Sequence, residues 1–110
     1  MPRDSDLFRM LKDASLFRQQ AYLDGAWCDA ESGAITAVEN PADGRQIGAV
    51  PDLREAETRR AIAAASTAFA SWRARTATER GRLLRRWNDL ILANRDDLAL
   101  IMTVEQGKPL

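Results

Sequence analysis

Thr76-Ala77-Thr78-Glu79-Arg80-Gly81-Arg82-Leu83-Leu84-Arg85-Arg86-Trp87-Asn88-Asp89-Leu90-Ile91 is the stretch on which the fold turns. Thr76 can cap a helix, and Glu79, three residues on, can reach back to the cap amide. Leu83, Leu84, Trp87, Leu90 and Ile91 then recur at helical spacing, as a stripe that needs a partner surface. Asn94 interrupts the run. Asp96 and Asp97 place negative charge where a second helix begins, and Leu98, Ile101, Met102 and Val104 continue the apolar pattern. Gly107, followed by Lys108-Pro109, is a helix stop. Adjacent helical residues do not face one another, so Asp96-Asp97 reads as capping charge rather than a catalytic pair.

Upstream, the spacing predicts a helix over Arg54 to Arg75 with Ile62, Ala65, Phe69 and Trp72 on one face. Its many alanines would let another element approach closely. Before it the period changes. Asp24-Gly25 sits between short runs containing Tyr22 and Trp27, a hairpin signal because both turn positions favour positive φ. Ser32-Gly33 and Pro41-Ala42-Asp43-Gly44 read as further turns. Ile35 to Glu39 and Gln46 to Val50 read as strands, the first ended by Asn40-Pro41 and the second by Pro51. Residues 21–50 are therefore expected to form a small antiparallel β unit. Asp4 to Asp13 reads as a short amphipathic helix with Leu7, Phe8 and Leu11 on one side, and Ser15 to Gln20 as a further turn. A terminal segment of this kind is expected to be loosely held.

With 110 residues, this is one domain or part of one. The 16 basic residues balance 16 acidic ones, and 14 of the basic residues are Arg. Arg73, Arg75, Arg80, Arg82, Arg85 and Arg86 cluster, but nearby carboxylates and the absence of interleaved aromatics favour solvated helix faces over a nucleic-acid surface. The longest uncharged run, Ala61 to Trp72, has 12 residues, short of the roughly 20 a membrane span requires. The start carries no apolar signal core and is acidic, so the expected location is cytoplasmic, which suits a single cysteine.

The negatives are informative. The chain has no histidine, which removes Ser-His-Asp and Cys-His arrangements and histidine-based metal sites. Cys28 lies between Trp27 and Asp29, where a carboxylate opposes ionisation, and reads as a packing residue. The glycines form neither of the spacings that cradle phosphates, and Gly107-Lys108 lacks the Ser or Thr that would follow in a phosphate loop.

Taken together, several segments resemble the N-terminal region of the aldehyde dehydrogenase superfamily. They are Leu16-Phe17-Arg18-Gln19-Gln20-Ala21-Tyr22-Leu23-Asp24-Gly25-Ala26-Trp27, Asn40-Pro41-Ala42-Asp43-Gly44, Glu57-Thr58-Arg59-Arg60-Ala61-Ile62 with Ala68-Phe69-Ala70-Ser71-Trp72, Thr78-Glu79-Arg80, and Thr103-Val104-Glu105-Gln106-Gly107-Lys108-Pro109-Leu110. They occur in family order. The opening and closing segments look most like the bacterial branch that oxidises succinate semialdehyde, and the glutarate-semialdehyde branch looks nearly the same here. The resemblance implies an α/β fold of which this chain is the N-terminal part: a short antiparallel β unit plus amphipathic helices, without the central parallel sheet. It divides the chain into an N-terminal helical arm, residues 1–20, and an incomplete first part of the NAD(P)-binding domain, residues 21–110.

In the family a cysteine thiolate attacks the aldehyde, hydride passes to NAD or NADP, and a glutamate-activated water releases the acid. The resemblance places those residues and the main cofactor contacts beyond Leu110. No catalytic or cofactor-binding residue is therefore assigned here, and the chain alone is expected to be inactive. It also implies a small aldehyde substrate, a homo-oligomer, and one site within reach: a monovalent cation held by the carbonyls of Val38 and Glu39 and the carboxylate of Glu105. Oxygen ligands suit such an ion. The family often has Asp where Glu105 stands, and a surface glutamate at a helix end is the plainer reading. The alternative of a different class is a stand-alone helical-β interaction module. Such a module should be compact, whereas a partial domain should leave its helix stripes bare.

Overall fold

The computed structural model describes residues 6–110. Helix α1 (Asp6–Met10) and a single 3-10 turn (Ala14–Leu16) precede two hairpins, β1 (Ala21–Leu23) with β2 (Ala26–Cys28) and β3 (Ile35–Glu39) with β4 (Gln46–Pro51). Three helices follow: α2 (Glu55–Ala74), α3 (Ala77–Ala93) and α4 (Arg95–Gln106). Both sheets are two-stranded and antiparallel. The described residues thus make a mixed α/β arrangement.

The turns form where the chain can adopt them. Asp24 and Gly25 take φ of 50° and 78°, the pair of left-handed residues a two-residue hairpin needs. In β3–β4 the register passes from Val38–Gly48 to Glu39–Gln46, which leaves Ile47 unopposed as a bulge. Ile47 is among the few buried side chains. Pro51 closes β4 opposite Ile35, at a strand end where a missing N–H costs nothing, and Asp52 N then donates to Ala34 O at 2.9 Å.

Residues 21–50 form the antiparallel β unit the sequence predicts, and they build it as two separate hairpins. The link between them turns through a Gly33 N to Ala30 O hydrogen bond of 2.9 Å. The Glu31 amide donates to the Glu57 carboxylate of α2 at 3.0 Å. That amide is therefore spent on a helix and cannot extend β2 alongside β3.

The helix ends follow the sequence closely. Thr76 Oγ1 accepts from Glu79 N at 3.2 Å, and Thr76 N donates to Glu79 Oε2 at 2.8 Å, a complete capping box on α3. The Thr76 amide, with help from its hydroxyl, holds the Glu79 carboxyl below the usual carboxylate range. Asn94 ends α3 and begins α4, and its Nδ2 donates back to Leu90 O at 2.9 Å. Gly107 closes α4 at φ 81°, with its N–H on Thr103 O at 2.8 Å. On α2 the cap residue is Arg54, whose guanidinium has no acceptor. Only the return half of a box forms, Arg54 N donating to Glu57 Oε2 at 3.0 Å.

The buried cluster lies where the sequence reading expects looseness. Leu7, Leu11 and Phe17 pack together, with Phe8, Leu100, Ile101 and Val104 against them. The Phe8 and Phe17 rings meet edge to face at 5.4 Å, a geometry that adds to simple burial. The described part of the terminal arm is thus seated on α4. Its exit is pinned as well: Gln19 Oε1 accepts from Ala49 N at 3.0 Å. A β-carbon on Gly48 would stand 3.1 Å from the Phe17 ring, so a larger residue there would have to push the ring back.

The other helices are bare. Ile62, Phe69, Leu84, Trp87 and Leu90 are all more than half exposed. Total accessible surface is 8558 Å² for 12.2 kDa, against about 6,100 Å² for a compact monomer of that mass. The radius of gyration is 16.7 Å, against about 13 Å for a compact chain of this length. These values do not suit a self-contained interaction module.

Candidate functional site

The three residues proposed to hold a cation lie on two elements. Val38 is half-buried and Glu39 exposed at the end of β3, and Glu105 is exposed in the last turn of α4. The structure brings these ends together through the turn that follows β3. A β-carbon on Gly107 would lie 3.1 Å from Pro41 Cγ, so the Asn40-Pro41 turn and the α4 terminator are in van der Waals contact. Asn40 builds that turn: its Oδ1 accepts from Ala42 N at 2.9 Å, and its carbonyl accepts from Gly44 N at 2.8 Å. No hydrogen bond or ion pair joins Glu105 to Val38 or Glu39 among the described residues. Nor do those residues gather three His, Cys, Asp or Glu side chains as a metal site. Carbonyl oxygens are left as the main ligands any ion would find there.

A shallow groove of about 240 Å³ opens beside this junction, lined among others by Asn40, Asp43, Arg45, Ile47 and Val104. Asp43 turns the chain through its hydrogen bond with the Arg45 amide at 3.0 Å, which holds its carboxyl low. Arg45 bridges Asp43 and Asp6 at 3.0 and 3.7 Å. Among the described residues, the groove's charges are spent on one another, Arg45 on Asp43 and Asp6.

Two buried carboxylates are the features the sequence reading missed. Asp97 reads as capping charge, yet it is buried and accepts from Lys12 N at 3.0 Å and Asp13 N at 2.8 Å. It is the clasp between α4 and the terminal arm. Asp96, its neighbour, stays exposed in a surface pair with Lys12 at 3.5 Å. The signal was present: Asp97, Ile101 and Val104 fall on one face at helical spacing, so a carboxylate on the apolar face had to find donors. Glu57 is the second. It accepts from Glu31 N and Arg54 N and is buried. The Glu31 amide first, then its own amide and that of Arg54, hold its carboxyl below the usual range. Beside it Arg60 pairs with Glu31, which raises the Arg60 pKa. These carboxylates join elements and have their acceptor oxygens satisfied, as structural groups do.

The remaining sequence candidates behave as packing or surface residues. Cys28 is half-buried in β2 opposite Ala21. None of Arg73, Arg75, Arg80, Arg82, Arg85 or Arg86 enters an ion pair among the described residues. Arg73 instead lies over the Phe69 ring at 5.9 Å. The left-handed glycines Gly25, Gly33, Gly44 and Gly107 sit in four separate turns. Among the described residues, these glycines do not combine into one glycine-rich turn at a helix N-terminus of the kind that takes a dinucleotide pyrophosphate.

Comparison with known proteins gives the family of this chain. The aldehyde dehydrogenase family profile matches residues 27–110. The chain belongs to the aldehyde dehydrogenase family, a family of oxidoreductases. It is 63% identical over 100 residues to glutarate-semialdehyde dehydrogenase of Pseudomonas aeruginosa, and 52% identical over 100 residues to the NADP(+) succinate-semialdehyde dehydrogenase of Escherichia coli K12. Each alignment covers 91% of this chain and 21% of the relative. The crystal structure of succinate-semialdehyde dehydrogenase from Burkholderia pseudomallei superimposes with a TM-score of 0.88 at 56% identity, over 91% of this chain and 21% of that one. A Staphylococcus aureus betaine aldehyde dehydrogenase in complex with NAD+ matches at TM-score 0.79 and 31% identity, over 94% of this chain and 20% of that one. The chain spans about a fifth of the length of the curated relatives it matches. No described helix is long and apolar enough to cross a membrane.

Proposed function

We propose that this chain is the N-terminal segment of an NAD(P)-dependent dehydrogenase that oxidises succinate semialdehyde to succinate, with glutarate semialdehyde as the alternative substrate. One observation carries the reading: 91% of the chain aligns with relatives named for those two substrates, at 63% and 52% identity. Both molecules are short aldehydes with a carboxylate at the far end, so one charge-recognising pocket accommodates either. On this reading, residues 1–20 are an arm and residues 21–110 open the NAD(P)-binding domain. The whole enzyme is a cytoplasmic homo-oligomer. The bare stripe of α2 and α3 supports it, because partial domains leave such faces uncovered.

The test is the polypeptide of the relatives' full length that carries this chain. Its kcat/KM with succinate or glutarate semialdehyde should exceed that with an uncharged aldehyde of equal length by at least tenfold, about 1.4 kcal/mol of discrimination. Equal rates, or preference for the uncharged aldehyde, would overturn the proposal. The 110-residue chain alone should form no NAD(P)H from either substrate.

The cation at Val38, Glu39 and Glu105 belongs to the same proposal. It rests on the Pro41–Gly107 contact, which sets the β3 end against the α4 end. The full-length protein should melt higher in potassium than in a bulky organic cation of equal ionic strength, and Glu105→Ala should reduce the difference. Identical melting in both salts would remove the site.

A further inference from the structure

We draw no further inference here: the strongest candidate, the apolar surface patch of Ile62 and Phe69 on α2 with Leu84, Trp87 and Leu90 on α3, carries nothing because nothing in the structure shows what covers it.

Discussion

The terminal arm with α4, and the α2–α3 pair, are built from the same kind of amphipathic sequence and end in opposite states. On the first, Leu7 is 3% exposed and Phe17 9%; on the second, Phe69 is 58% exposed and Trp87 63%. The difference lies in the supply of partners. The arm meets α4 across 85 residues of chain, so the contact carries a loop-closure cost, and the burial of Leu7, Leu11 and Phe17 together with the Asp97 clasp offsets it. The longer helices present stripes that no other described element covers. Amphipathic spacing therefore states that a face requires burial, and says nothing of whether the same chain provides it.

The sharpest way to break this comparison is to truncate one aromatic on each side. Phe17→Ala should destabilise the 110-residue chain by about 3–5 kcal/mol, the usual cost of emptying a core aromatic site. Trp87→Ala should stay within about 0.5 kcal/mol, as an exposed site does. Urea unfolding followed by circular dichroism compares the two. Equal losses would mean that Trp87 is covered in solution and that the contrast is false. In the full-length protein the Trp87 cost should rise to the Phe17 level.

Asp97 and Asp96 repeat the comparison at the scale of one helix turn. Removing Asp97 leaves the Lys12 and Asp13 amides without their charged acceptor, and Asp97→Ala should cost about 2–3 kcal/mol. Asp96→Ala removes a surface pair and should cost less than about 1 kcal/mol. A like cost for both in the same urea assay would mean that the clasp is not what seats the arm.

How far the residues disclosed this in advance depends on the range of the interaction. The Thr76–Glu79 box, the Asn94 break, the Gly107 stop and the Asp24-Gly25 hairpin were legible because each rests on partners within five positions. Glu57 was not, because its defining bond runs to Glu31, 26 residues away, and its cap residue Arg54 is not a capping type. The seated arm was misjudged for a related reason: terminal position argues for looseness, and only the fold reveals α4 beneath it. The proposed cation ligands Val38, Glu39 and Glu105 came from family resemblance alone. Two of the three act through backbone carbonyls, which side-chain identity does not record.

Acid gives the gentlest probe of the two regions. In the folded chain, amide donors hold Glu57 below its ordinary value. As pH falls, the unfolded chain therefore takes up that proton first. The stabilisation is complete above the ordinary carboxylate value and disappears as pH drops through the lowered one. Glu57 ties α2 to the link between the hairpins, whereas the arm hangs on apolar packing and Asp97. Acid should thus loosen α2 from residue 31 through this carboxylate. In Glu57→Gln the titration is gone, so unfolding free energy should fall less steeply with acid than in the parent chain. In Glu57→Ala, which removes the acceptor altogether, hydrogen exchange at the Glu31 amide should already be fast at neutral pH, while exchange on α4 stays slow. Matching acid slopes in Glu57→Gln and the parent chain, with Glu31 still protected in Glu57→Ala, would show that α2 is held by something other than this carboxylate.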